Sequence, residues 1–299
     1  MTNAAVKERV REFYDSIGWK EIGDGVYQNA RYEDLRPVSR EYIRRCHLRV
    51  LRHLNPGGKY LLDAGSGPIQ YPEYLLYSEA YQYRVCMDIS IRAIKEARQR
   101  IGNHGLFVVG DIANLPFAES AFDGIVSLHT IHHLPLGEHQ QAFLDLYRVL
   151  KSGGRSVIIS SWAGHSPFMR VMSPLIQLAF RVLEAYRRIR GRQDRIALQA
   201  GELRPEAEKL LRKQGTFTAT HNYRWVRQEL AVLNGLDIRV WRSVSSSFLR
   251  AFIHRRLMGK ILLRLLYRIE EVAPQLLGRV GQYPMILFNK PTRSNGTEG

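Results

Sequence analysis

The sequence predicts an α/β domain: a mostly parallel sheet of seven strands with helices on both faces. Three observations predict it. Short apolar runs alternate with amphipathic stretches between residues 55 and 163, the order that builds a parallel sheet covered by helices. The first run, "KYLLDAG", leads directly into the glycine turn "AGSGPIQ". Acidic residues stand at the ends of the next two runs, where open α/β sheets bind their ligands.

Each element has its own reason. "VKERVREFYDSIGW" sets Val6, Val10, Phe13 and Ile17 at helical spacing and stops at Gly18. A second helix is expected from Pro37 to Leu54, through Ile43, Val50, Leu51 and Leu54, before the turn "NPGG". Strands are then expected at 83–90, 105–112, 122–131 and 155–162. Between them, "IRAIKEARQRI" carries Ile91, Ile94, Ala97 and Ile101 on one face, and "HQQAFLDLYRVLKSGG" reads as a helix capped by its glycines. After 165 the alternation stops. Residues 167–215 read as helical and basic, "WVRQELAVLNG" as a helix, "LDIRVWRSV" as a strand, 247–277 as one long helical stretch, and 283–290 as the last strand. The expected organisation is a helical cap or lid (1–55), an α/β core (56–165), a helical substrate-covering insertion (166–225), a C-terminal completion of the sheet (226–290) and a disordered tail (291–299).

The net charge of +16 is unevenly placed. Residues 57–163 hold 9 basic against 10 acidic side chains, whereas 168–213 hold 11 against 5 and 239–290 hold 10 against 2. The glycine-loop segment is therefore neutral, and the positive charge surrounds it. An anionic partner fits that asymmetry, as does plain solubility. The N-terminus lacks an apolar signal-peptide core, no stretch has the length of a membrane span, and Cys46 and Cys86 are too few for a disulfide framework. A cytoplasmic location is expected.

The glycine turn is selective. A pyrophosphate loop reads G-x-G-x-x-G, but here Gly65 and Gly67 are followed by Gln70 in the third slot. Asp63, two residues before Gly65, suits a positively charged ligand group. Asp88, 25 residues on at a strand end, suits ribose hydroxyls, and Asp111 suits an adenine amino group.

At these residues the chain resembles the class I S-adenosylmethionine-dependent methyltransferases, Rossmann-like enzymes, in particular the ubiquinone/menaquinone and other small-molecule methyltransferases of the methyltransferase domain 11 type. "LLDAGSGP", "VCMDIS", "GDIANLPF", "FDGIVSLHTIHHL" and "LYRVLKSGGRSVII" are similar to successive family motifs, in order, over roughly 55–163. The resemblance implies S-adenosylmethionine as cofactor. Asp63, Ala64, Gly65, Ser66 and Gly67 would hold its methionyl part, Asp88 and Ile89 the ribose, Asp111 and Ile112 the adenine, and His129 would border the sulfonium. Tyr14 is the candidate for the N-terminal aromatic lid that family members often have. The family often has glycine where this chain has Ile69.

Methyl transfer needs an acceptor held in line, and a base only where the acceptor must lose a proton. "LHTIHH" and "THNYRW" offer His129, His133 and His221 as candidates, with Tyr14 beside them. The HTIHH spacing is no zinc motif, and no metal is expected.

The long basic stretch sets Leu249, Phe252, Ile253, Leu257, Ile261, Leu265 and Ile269 in one stripe and Arg256, Lys260, Arg264 and Arg268 in another. Two readings stay open: a helix packed on the domain with its arginines in water, or peripheral contact with an anionic membrane. Residues 167–190 repeat the theme, so a small-molecule or lipid-like acceptor is the expected substrate. The alternative is methylation or binding of RNA or another nucleic acid, which the charge permits but no RNP, KH or zinc-finger motif supports.

Overall fold

Neighbouring residues on a strand point to opposite faces, and the apolar strands of this chain bury both. Leu61, Cys86, Val126 and Val157 enter one core; Leu62, Val85, Ile125 and Ile158 enter the other. The structure, a computed structural model, describes residues 2–23, 26–189 and 216–292. The expected tail from 293 and the middle of the insertion, 190–215, lie outside the described residues.

A short hairpin of β1 (Glu21–Gly23) and β2 (Val26–Tyr27) follows helix α1 (Asn3–Phe13). The main sheet holds β3 (Gly58–Ala64), β4 (Tyr81–Asp88), β5 (Gly105–Val109), β6 (Phe122–Leu128), β7 (Leu150–Ile159), β8 (Asp237–Arg242) and β9 (Tyr283–Asn289). Their order is β5-β4-β3-β6-β7-β9-β8; β9 alone runs against its neighbours. The strand order reverses between β3 and β6, which opens a crevice beyond the end of β3. Helices α2 (Arg40–Leu48) and α3 (Ile91–Ile101) cover one face and α4 (His139–Val149) the other.

Three expectations change, and one departure from the resembled family takes shape. The helix from Pro37 to Leu54 is α-helical only to Leu48 and tightens to a 3₁₀ turn at Arg49–His53. The glycines expected to cap α4 belong instead to β7: Leu150 is already extended, and Gly153 (φ +79°) sits at a shift in the β6–β7 register. The long helix of 247–277 is three helices, Ser246–Phe252, Gly259–Val272 and Pro274–Val280. Extended Ile253 and left-handed Met258 (φ +53°) interrupt it, and Pro274, which has no N–H to donate, begins a new helix. Finally, Ile69, where the resembled family often has glycine, adopts φ +55° with its side chain fully buried. A left-handed β-branched residue costs about 1–2 kcal/mol, a cost that burial of a whole isoleucine offsets.

Candidate active site

The crevice at the reversal holds a cavity of about 510 Å³. Gly65, Ser66, Gly67, Asp88, Ile89, Asp111, Ile112, His129, His133 and Tyr14 line it, so most of the sequence-predicted residues converge there. The glycines are required. Gly65 has φ +76°, and a Cβ there would lie 2.1 Å from Thr130 Oγ1; Gly67 has φ +55° with the Trp19 ring 3.0 Å from its would-be Cβ. The loop is held by backbone bonds from Gly65 and Ser66 N–H to the Met87 carbonyl, at 2.7 and 3.0 Å.

Asp88 closes the frame. Its Oδ2 accepts from Gly67 N–H and its Oδ1 from Ser90 N–H, both at 2.9 Å. Burial pushes its pKa up to about 6, even though these two N–H groups favour the charged form. Each oxygen keeps a lone pair for a ligand hydroxyl. At the other end, Asp111 accepts from Ala113 N–H at 2.9 Å and pairs with Lys7 of α1 at 2.5 Å. Lys7 also reaches Glu138 at 2.6 Å, so two ion pairs tie α1 across the cavity.

The N-terminal lid is aromatic. Tyr14 stacks on Trp19 with centroids 5.0 Å apart, and its hydroxyl meets His133 Nε2 at 2.8 Å. His133 Nδ1 lies 2.8 Å from the Phe217 carbonyl, which can only accept; Nδ1 therefore carries the proton and Nε2 accepts from Tyr14. Both nitrogens are thus engaged, and burial depresses the imidazole to about 4. His133, one of the candidate bases in the sequence, is a neutral latch between lid and core. Tyr14→Phe is expected to loosen that latch by about 1 kcal/mol, read as a several-fold faster cofactor dissociation in stopped flow with little change in thermal stability.

Three other residues leave the expected site. Asp63 points into the helix layer, where its Oδ2 pairs with Arg84 (Nε at 3.1 Å), and both are fully buried. The expected positive partner exists, but it belongs to β4. Ala64 is buried, its carbonyl accepting from Ser127 Oγ at 2.7 Å, and it does not line the cavity. His221 stacks on Trp225 at 3.6 Å with its Nε2 turned to the Leu136 carbonyl, away from the cavity.

Sequence reasoning missed a second set of lining residues, an aromatic and charged lobe of the wall made by Tyr32, Glu33, Tyr71, Tyr74, Arg242 and Tyr283. Burial would raise the Glu33 pKa, but His47 Nε2 at 3.3 Å and Arg242 Nη1 at 3.4 Å outweigh it and hold the carboxyl at about 2. His47 pairs on its far side with Glu73 at 3.8 Å. His129 lines the same cavity, at φ +57°, edge-on to Trp241 and Tyr283. Burial, reinforced by Arg242 and opposed by Glu33, lowers it to about 3, so it is a neutral imidazole. The one hint of this lobe in the sequence is Arg242 inside the otherwise apolar "VWRSV".

Residues 62–158 match the family model described as a methyltransferase domain. Phthiotriol/phenolphthiotriol dimycocerosates methyltransferase 1 of Mycobacterium ulcerans is 31% identical over 166 residues, covering 51% of this chain and 60% of that protein. The ubiquinone/menaquinone biosynthesis C-methyltransferase of Desulfotalea psychrophila is 26% identical over 128 residues, 42% of this chain and 50% of that one. The tRNA (carboxymethyluridine(34)-5-O)-methyltransferase of Arabidopsis thaliana is 31% identical over 132 residues, 44% of this chain and 31% of that one. The chain thus spans less than two thirds of the length of each of these relatives. In fold it is similar to geranyl diphosphate C-methyltransferase from Streptomyces coelicolor A3(2), at 16% identity and a TM-score of 0.53 over 97% of this chain and 100% of that one. Residues 62–158 thus carry a methyltransferase domain of the class I S-adenosylmethionine-dependent kind.

Proposed function

We propose that this chain transfers a methyl group from S-adenosylmethionine to a lipid-like small-molecule acceptor. The observation that carries the reading is one cavity lined both by the glycine turn with Asp88 and Asp111 and by a set of tyrosines with Glu33 and Arg242, with His129 against Tyr283 of that set. The residues fit the cofactor. Gly65, Ser66 and Gly67 line the cavity in a turn that Thr130 and Trp19 pack closely, and the Asp88 carboxylate can accept ribose hydroxyls. The cofactor supplies a methyl group already activated by a positive sulfur.

The chain's own part is positional. Trp19 and Tyr14 cover the cradle and exclude water, while Lys7 ties the lid to the adenine end. In the second lobe the tyrosines offer apolar ring faces, and the charged pair Glu33–Arg242 can orient a polar end of the acceptor. His129, uncharged at neutral pH, can accept a hydrogen bond from an acceptor hydroxyl; being a weak base, it suits an acceptor that needs little deprotonation. The mycobacterial and quinone-pathway relatives support a lipid-like acceptor by their names.

A second reading, RNA as acceptor, is favoured by the tRNA-methyltransferase relative and the net charge of +16. One experiment separates them. The protein is incubated with methyl-labelled S-adenosylmethionine and a total cell extract, and the label is partitioned. We expect it in the organic phase; label confined to RNA would replace the first reading with the second.

A further inference from the structure

The helix Gly259–Val272 buries a face other than the one its spacing suggests. Its inward residues are Gly259, Leu263, Tyr267 and Glu270, and Glu270 fixes the orientation. Glu270 Oε1 accepts from the Tyr42 hydroxyl (2.7 Å), Ser243 N–H (2.8 Å) and Ser243 Oγ (2.6 Å), while Oε2 meets Arg49 Nη2 at 3.2 Å. A fully buried carboxylate with four partners cannot be rolled outward. Leu249 and Ile253 of the predicted stripe are buried in the preceding segment, but its part on this helix is left in water: Ile261 is 58% exposed, Leu265 54% and Ile269 47%, and Val272, 86% exposed, prolongs it. Met258, 67% exposed, extends it at the N-terminal end.

Beside this stripe runs a row of cations. Lys260, Arg264 and Arg268 recur every fourth residue, so they line one flank of the aliphatic face, and Arg255 and Arg256 precede the helix. All five are exposed, and none has an ion-pair partner among the described residues. We propose that this face is a docking surface for an anionic lipid bilayer, the aliphatic side chains entering the interface while the basic row meets the headgroups. Charge complementarity selects that occupant. Nucleic acid would want rings to stack on, but the helix's one aromatic residue, Tyr267, is turned inward. A second copy of the chain docked face to face would bring two cationic rows together. Helix α5 (Pro167–Ile189) exposes a comparable stripe at Val171, Leu175, Leu178 and Val182.

The test is flotation of the full chain with vesicles of phosphatidylcholine alone or mixed with phosphatidylserine. Binding is expected to the mixed vesicles only, and to weaken with added salt. Reversing Lys260, Arg264 and Arg268 to glutamate is expected to reduce it at least about a hundredfold, from about fivefold for each charge lost. The triple variant Ile261→Ser, Leu265→Ser, Ile269→Ser is expected to lose binding as well; all three sites face solvent, so the fold is retained. S-adenosylmethionine binding, titrated in parallel, reports folding and keeps failure here distinct from failure of the methyltransferase reading. The proposal is overturned if wild type ignores anionic vesicles or if either triple variant binds as wild type does. A dimer that the serine variant dissolves would give the face to a second copy, and RNA binding lost only in the glutamate variant would give it to nucleic acid.

Discussion

Asp88→Ala is expected to weaken S-adenosylmethionine binding at least about a hundredfold, measured by titration calorimetry. The side chain combines two tasks: its carboxylate anchors Gly67 N–H and the start of α3 at Ser90, and it offers the remaining lone pairs to the ligand. Losing charge-assisted hydrogen bonds worth about 1.5–3 kcal/mol each accounts for that factor. Its pH dependence has two opposite signs. The native pKa of about 6 lies above the ordinary carboxyl value of 3.8. The native state therefore binds more protons than the unfolded chain between those values. Asp88 contributes stability that is fully present below about pH 4 and lost as pH rises through about 6, worth up to about 3 kcal/mol. Ligand binding runs the other way, because a protonated carboxyl has lost acceptor capacity, so affinity falls as pH drops below about 6. The check is the difference in melting temperature between wild type and Asp88→Asn from pH 4 to 7, alongside the dissociation constant of wild type. A flat difference would show that Asp88 is not raised, and an affinity indifferent to pH would remove it from the ligand's contacts.

How much of this was legible depended on whether the responsible interaction is local. The glycine cradle, Asp88 and Asp111 were readable because a strand end followed by a tight turn is a local event: adjacent residues set φ, and the alternation of Leu61 and Leu62 fixes the strand's two faces. The Gly259–Val272 helix was harder. It is apolar most of the way round, so spacing offers two candidate inward faces; Glu270 decides between them through Tyr42, Arg49 and Ser243, all distant in sequence. The Glu33–Arg242 part of the cavity wall was invisible for the same reason, since Glu33, His47 and Arg242 come from three separate elements. The sequence placed His133, just past a strand end, ahead of His221, but it showed the partners of neither. Only the fold gives one of them Tyr14 and Phe217 and the other a Trp225 ring on the surface.

Asp63 shows how a sound chemical reading can fix on the wrong partner. Its place before Gly65 demanded a cation, and parallel pairing of β3 with β4, with Asp63 beside Cys86, sets Arg84 on the same face two register positions away. Among the described residues, Arg84 has only Asp63 as counter-charge, plus the Tyr74 carbonyl. Asp63→Ala would leave a guanidinium buried without compensation, which costs about 3–5 kcal/mol, a large part of the 5–15 kcal/mol typical of a folded domain. Urea unfolding is expected to show that loss. The double variant Asp63→Leu, Arg84→Met removes both charges and fills similar volume, so it is expected to recover most of the stability and to bind S-adenosylmethionine within a few-fold of wild type. A double variant that is folded but does not bind would return Asp63 to the ligand. One that is folded and binds would make the pair a support beneath the glycine loop, acting through the position of β3 and not through contact with the cofactor.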